Sequence, residues 1–379
     1  FVGKLSFFRV YSGELKHHQE VYNVRAKKNE TIGHMFKTFG KEQQEVDGAI
    51  PGDIVTISKI EDISVSDTLC DPHAKVKFKD IKFPNPMASL AIEPKSSGAE
   101  QKISETLHRL VDEDSTFKVS RDVQTHELVV TGMSNLHLDV ILSRLKSRYG
   151  IDVESRQPKI PHKETITTKA SAQYKHKKQT GGKGQYGEVY LRIEPLERGG
   201  GFQFVSKIVG GAIPSQYIPA VEKGLRETIA KGILSNNPIV DVKVELYDGT
   251  FHNVDSSEAA FKVAASKAFH LAFDDAKPVL LEPVVNIEVT IPSEFMGEIT
   301  GNLSSRRGRV QGMDSFGDLQ VIQASIPMEE VKNYETELKS MTGGRGSYTM
   351  ALSHYDVVPS HLVPLIIAQA KKETEKADK

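Results

Sequence analysis

The residues with most chemistry to offer lie in one short stretch. Between Ile166 and Gly187 the chain carries Lys169, Lys175, His176, Lys177, Lys178 and Lys183 and no carboxylate. Within it, Gln179-Thr180-Gly181-Gly182-Lys183-Gly184-Gln185-Tyr186-Gly187 sets four glycines among lysines. Ammonium groups displace counterions from a phosphate backbone, and glycine lets backbone N–H groups approach it closely, so RNA phosphate is a ligand that fits. Composition alone leaves a second reading open, a solvated hairpin tip that needs glycine's positive φ. A nucleotide triphosphate does not fit, because a P-loop continues Gly-Lys with Ser or Thr and here Gly182-Lys183 runs into Gly184.

Other clusters carry weaker signals. Arg306-Arg307-Gly308-Arg309 and Thr342-Gly343-Gly344-Arg345-Gly346-Ser347-Tyr348 pair guanidinium forks with glycine, a chemistry suited to phosphate and stacked bases and equally to solvated turns. His252, Asp255 and Ser256 hold the residue types of a hydrolase triad, but adjacency is not triad geometry and no Gly-x-Ser-x-Gly elbow exists. Asp255 with Glu258 instead has N-cap spacing, and His252 follows an expected turn at Asp248-Gly249. The 13 histidines show no metal-ligand spacing, His17 and His18 being expected on opposite faces of a strand. The lone Cys70 excludes an internal disulfide and favours a reducing compartment.

The elements that must position these groups follow from periodicity and punctuation. With 379 residues the chain should hold two to four domains. Short alternating runs from Leu5 to Ile60, divided by Ser12-Gly13, Asp47-Gly48 and Pro51-Gly52, predict a small β-barrel, and Phe83-Pro84-Asn85-Pro86 a boundary. Beyond it come a strand Ser89–Ile92, a helix opened by a Ser97–Glu100 capping box, strands Phe117–Asp122 and His126–Thr131, a helix through Leu138, Ile141 and Leu145, and a strand Ile151–Ser155. That order is βαββαβ, a ferredoxin-like unit.

The order returns as Pro283–Ile291, a helix Ser293–Ser304, Arg309–Met313, Leu319–Ile326, a helix Glu329–Met341 and Ser347–Ser353. In the middle lie strands Ile166–Gln173, Gly187–Glu194 and Phe202–Val209, a helix Pro214–Leu234, a strand Val240–Tyr247 and a helix Ser257–Asp274. The tail Lys371–Lys379, with seven charged residues in nine, reads as a frayed end. Hydrophobic residues at 38 % fit globular domains, and a formal charge of −1 confines any RNA-binding face to a local patch. No run of apolar residues is long enough to span a bilayer, these residues show no signal-peptide pattern, and Phe1 in place of Met points to a fragment whose true N-terminus is missing.

Many of these residues together resemble translation elongation factor G. The loop Gln179–Gly187, Phe202-Gln203-Phe204-Val205, Gly210-Gly211-Ala212-Ile213-Pro214, Tyr217-Ile218-Pro219-Ala220-Val221, Leu246-Tyr247-Asp248-Gly249 and Val254-Asp255-Ser256-Ser257-Glu258 look like its domain IV. Tyr11-Ser12-Gly13, Ala91-Ile92-Glu93-Pro94-Lys95, Gly132-Met133-x-x-Leu136-His137-Leu138, Met296-Gly297, Arg306-Arg307-Gly308 and Gly312-Met313 extend the likeness over the whole chain.

The resemblance implies a multidomain α+β chain lacking the G domain of its parent. Residues 1–83 would be the remainder of a β-barrel (domain II) and 84–157 a ferredoxin-like domain III. A ribosomal-protein-S5-like domain IV with a left-handed βαβ crossover would occupy 158–280, a second ferredoxin-like domain V 281–358, and a C-terminal helix and tail 359–379. It further implies GTP-dependent translocation of tRNA and mRNA on a cytoplasmic ribosome by a monomer, with no membrane partner. GTP and Mg2+ would bind the missing domain, leaving this chain without cofactor, metal or GTPase activity of its own.

RNA contacts are implied at Lys175, His176, Lys177, Lys178, Gln179, Thr180, Gly181, Gly182, Lys183, Gly184, Gln185, His252 and Asn253 toward the decoding region. Arg306, Arg307 and Arg309 would meet large-subunit RNA and the stalk base. Where the family commonly reads Gly-Met-Gly-Glu-Leu-His-Leu-Glu, this chain has Gly132-Met133-Ser134-Asn135-Leu136-His137-Leu138-Asp139, and Lys41–Glu45 is also atypical. These departures keep two alternatives open, a recycling-specialised paralogue working with ribosome recycling factor and a tetracycline-resistance ribosomal protection protein; the rival from another class is a non-catalytic RNA-binding protein without a G domain.

Overall fold

The structure, a computed structural model, describes residues 4–377 apart from 59, 61, 96, 97, 99 and 180–183. Packing divides it into two units. The first comprises Phe1–Pro86, Glu93–Ser120 and Val130–Glu154, and the second Met87–Ile92, Arg121–Val129 and Ser155–Lys379.

Breaks at Ser12-Gly13, Asp47 and Pro51-Gly52 divide the start of the chain into short strands, as the punctuation requires, Gly48 itself entering a strand. Among the described residues these strands form three small sheets and no closed barrel. One takes the order Leu5–Arg9, Ile54–Ser58, Met35–Phe39, Glu42–Val46. The second pairs Leu15–Lys16 with Gly48–Ala49, and the third runs Lys28–Thr31, Glu20–Asn23, Leu69–Cys70. Two small cores result, Val21, Ile32, Met35 and Ile57 in one and Val10, Ala49 and Val55 in the other. His17 and His18 do not alternate across a strand; they occupy a turn, His18 at φ 61°, with ring centroids 3.9 Å apart.

The expected βαββαβ order is present from Ala88 to Arg156. Its four strands pair in the sequence second, third, first, fourth: Lys118–Arg121, Leu128–Gly132, Ala88–Pro94, Val153–Arg156. The helices are Glu100–Glu113 and Asn135–Tyr149; Ser97 of the expected capping box lies outside the described residues. The atypical Ser134 has a physical use, its hydroxyl accepting from the His137 N–H as the N-cap of the second helix. His137 then accepts from the Met133 N–H at 3.1 Å and meets Asp114 at 3.1 Å.

In the second unit, Lys163–Ile166 precedes β1 (Ala170–Lys178), β2 (Gln185–Pro195), β3 (Phe202–Ser206), α1 (Ile218–Lys231), β4 (Val242–Thr250) and α2 (Glu258–Asp275). The single strand expected at 166–173 is two, because Thr167 and Thr168 turn their N–H groups onto Ala276 O at 3.2 and 3.1 Å. The sheet order is β1-β2-β4-β3, antiparallel but for the β3–β4 pair, which α1 links as a crossover. Alternation places Val189, Leu191 and Ile193 of β2 and Val244 and Leu246 of β4 in the core under α1 and α2. Small residues Ala264, Ala265, Ala268 and Ala272 let α2 lie close to the sheet, while Phe261, Phe269 and Phe273 fill the volume between.

The second βαββαβ unit follows as β5 (Pro278–Pro292), α3 (Met296–Ser305), β6 (Arg309–Phe316), β7 (Leu319–Pro327), α4 (Tyr334–Met341) and β8 (Ser347–Val357). Its strand order, β6-β7-β5-β8, repeats that of residues 88–156. Strand β5 pairs Lys163–Ile166 through Pro278 to Leu281 and β8 from Leu281 onward, so it runs unbroken across residues 280 and 281. Three expected helices enter through 3-10 turns, Ser215–Tyr217, Ser293–Phe295 and Met328–Val331. Each follows a proline, Pro214, Pro292 or Pro327, whose fixed φ and extended ψ make a tight turn the route into the helix. The last helix is Val363–Ala377, so the charged segment expected to fray is helical through Ala377.

Candidate nucleic-acid interface

The lysine-rich segment is one arm of the β1–β2 hairpin. Lys175 faces Glu188, His176 faces Gly187, Lys177 faces Tyr186 and Lys178 faces Gln185. Period-2 alternation sends Lys175 and Lys177 to the exposed side, while His176 is half-buried with Nε2 3.0 Å from Gln185 Oε1. Lys175 Nζ stands 5.3 Å over the Tyr186 ring and 3.9 Å from the Glu188 carboxylate. The Tyr186 hydroxyl, then Glu188, raise its pKa above the ordinary lysine value. Lys177, Lys178 and Gln179 are exposed, and among the described residues the two lysines meet no carboxylate. Thr180, Gly181, Gly182 and Lys183 lie outside the described residues.

A second loop, Phe251–Ser256, is latched to this hairpin. Strand β4 runs through Asp248 and Gly249 to Thr250, so the turn expected there lies further on, at Asn253–Asp255, closed by Ser256 N donating to His252 O at 3.1 Å. Ser256 bridges the two loops, its Oγ donating to Tyr186 O at 3.0 Å and accepting from the His252 N–H at 2.9 Å. Tyr186 N donates to Asp255 O at 2.9 Å. Asp255 is not the N-cap of α2; Ser257 is, accepting from the Ala260 N–H at 3.2 Å. The Asp255 carboxylate instead accepts from the Gly184 N–H at 3.1 Å, and a Cβ on Gly184 would sit 2.8 Å from its Cγ. Glycine at 184 is a matter of space. His252 is exposed, its Nδ1 accepting from Val254 N and Asp255 N at 3.3 and 3.2 Å, and Asn253 is exposed beside it. The structure therefore brings Lys175–Gln179, Gly184, Gln185, His252 and Asn253 to one end of the β1–β2–β4 sheet.

The arginines are placed differently. Arg307 is half-buried, donating to both oxygens of the buried Glu282 at 2.6 and 3.0 Å and to Glu330 at 2.9 Å, and these bonds raise its pKa. Arg306 is half-buried against Glu337, Asn302 and Glu330 O, with its guanidinium 5.5 Å from the Tyr334 ring. Arg345 is paired with Glu294 at 2.6 Å. Of Arg306, Arg307 and Arg309, only Arg309 stands exposed without a carboxylate partner among the described residues.

Sequence reasoning missed Glu164, which is fully buried beneath the end of α1. Its carboxylate accepts from the N–H groups of Ile233, Leu234, Ser235 and Asn237 at 2.8, 2.9, 2.8 and 3.2 Å. A lone glutamate in a strand has no local signal for this, since its donors lie about seventy residues away, as the sequence separations of 69 to 73 show. Among the described residues no cluster of His, Cys, Asp and Glu could hold a metal, and no helix is long and apolar enough to cross a membrane.

Family comparisons divide the chain in the same order as its sheets. Residues 3–70 match elongation factor Tu domain 2, 83–157 elongation factor G domain III, 158–277 elongation factor G domain IV and 279–365 the elongation factor G C-terminus. An elongation factor G-like protein of Thermotoga maritima is 44 % identical over 380 residues, covering 100 % of this chain. The chain spans 56 % of that relative's length. A crystal structure of a Thermus thermophilus protein superposes with a TM-score of 0.77 at 37 % identity, over 98 % of this chain and 56 % of that one.

Proposed function

Because the chain belongs to the elongation factor G family, we propose that it is the ribosome-engaging part of a translational GTPase that drives movement of tRNA and mRNA. In this reading GTP and Mg2+ bind a region outside the chain, and the chain converts the resulting change of state into contact with RNA in the cytoplasm. The observation that carries it is the paired tip: Lys177 and Lys178, free of carboxylates among the described residues, stand on a hairpin latched through Tyr186, Ser256 and Asp255 to the loop bearing His252 and Asn253. Hydrogen bonds between Gly184, Tyr186, Asp255 and Ser256 fix the described parts of the two loops against each other, which lowers the ordering cost of entering a polyanionic groove, and the lysines supply the counterion release. Domain V would meet RNA through Arg309, with Arg306 and Arg307 holding the backbone that presents it.

The test is the triple substitution of Lys177, Lys178 and Lys183 by alanine in the parent factor. Each lost phosphate contact lowers the slope of log affinity against log salt by roughly 0.7–0.9, so losing all three should lower the variant's slope for ribosomes by roughly 2.1–2.7. An unchanged slope would remove this loop from the interface.

A further inference from the structure

A second basic feature lies on the opposite layer of the same domain. Helices α1 and α2 run parallel, since their contacts step forward together. Tyr217 stacks on Phe261 at 5.0 Å, a Cβ on Gly224 would meet Lys262 O at 2.6 Å, and Thr228 Oγ1 lies 2.8 Å from Ser266 Oγ. Over this close approach they leave a groove of about 650 Å³, running from Ala259 to His270 along α2 and from Gly224 past the C-terminal end of α1. It is lined by Lys231, Lys262, Lys267 and His270, with Asn236 on the rim and the Thr228–Ser266 hydroxyl pair on the floor. The only carboxylate lining it among the described residues, Glu227, is neutralised by Lys262 at 2.6 Å. Lys231 and Lys267 are exposed and meet no carboxylate among the described residues. Lys231 also complements the negative end of α1, a use that Lys267, in mid-helix, does not have.

We propose that this groove is a second RNA contact, taking backbone phosphate between Lys231 and Lys267 beside His270. The proposal rests on the RNA-engaging reading above and gives the domain two phosphate contacts, one at its tip and one on its helical layer. Charge complementarity selects the occupant: with Glu227 spent on Lys262, two cations remain for an anion, and the Ser266 hydroxyl is left to donate, the Thr228 proton being held by Gly224 O and Ser266. His270 reports on occupancy. Burial first, then Lys267 and Lys231, lower its pKa against the opposing pull of Asp274 and Glu164, so a phosphate beside it should raise the titration midpoint.

The experiment follows the His270 ring resonance of the full chain through a pH titration, with a short RNA duplex as probe and inorganic phosphate as control. With duplex, the midpoint should rise in the unmodified chain and in K177A/K178A, stay put in K231A/K267A, and recover in K231R/K267R. The salt slope of duplex binding should fall by roughly 1.4–1.8 in K231A/K267A, two phosphate contacts. If His176 and His252 respond to duplex while His270 does not, the groove is overturned and the tip reading stands. If none of the three responds, both are overturned. If inorganic phosphate moves His270 as far as duplex at equal phosphate concentration, the groove holds small anions and the RNA assignment is overturned.

Discussion

Replacing Asp255 and Ser257 separately distinguishes a loop latch from a helix cap. The Asp255 carboxylate, 26 % exposed, holds the Gly184 N–H at 3.1 Å. A hydrogen bond to a charged acceptor contributes about 1.5–3 kcal/mol, and partial exposure brings this one to roughly 1–2 kcal/mol. In Asp255→Ala, exchange of the Gly184 amide should therefore rise roughly five- to thirtyfold, since 1.4 kcal/mol is about a factor of ten. Protection in the first turn of α2 should not change. Ser257→Ala removes the acceptor for Ala260 N at 3.2 Å and should destabilise the helix start by about 1 kcal/mol, leaving Gly184 protected. Residue-resolved hydrogen exchange on the two variants reads both effects. Equal loss of α2 protection in both would show that Asp255 is a cap after all and would refute the latch.

Two further perturbations reach the base of the same domain. Glu164→Ala strands four backbone N–H donors in a fully buried site, at about 1–3 kcal/mol for each one that water cannot reach, and should cost the domain about 3–5 kcal/mol. Amide exchange at Ile233–Asn237 checks it, and unchanged protection would dispose of the idea. The Glu194 carboxyl, hydrogen-bonded by Lys169 and Lys243, is held down from 4.5 to about 2. Its folded pKa lies below the unfolded one, so the Lys169–Glu194–Lys243 cluster stabilises above about pH 4.5 and loses that contribution as pH falls toward 2. In Lys243→Ala the carboxyl should titrate higher by NMR; an unmoved midpoint would exclude the contact.

Local signals were enough for the two βαββαβ repeats. Apolar periodicity placed Leu138, Ile141 and Leu145 on one helical face, and turn residues punctuated the strands, both being properties of neighbours in sequence. They failed where the competitor was distant or subtle. Asp255 and Ser257 are both chemically able N-caps two residues apart, and only the position of Gly184, 71 residues earlier, decides which one caps. Asp248-Gly249 has the composition of a turn, yet pairing with Val189 and Tyr190 keeps it in the strand, with a register shift between Tyr190 and Leu191.

The amino-acid sequence by itself determined the family, the order of elements and the lysine-rich hairpin, because each is written in residue types at short spacing. Tertiary structure decided which charges are available. Arg306 and Arg307 read from sequence as free phosphate ligands, but folding brings Glu337, Glu282 and Glu330 onto them, from 23 to 31 positions away. Lys231 and Lys267 carry no motif, yet parallel helices 38 residues out of step set them on one groove. Electrostatic partnership falls off with distance through space, and only the folded chain sets that distance.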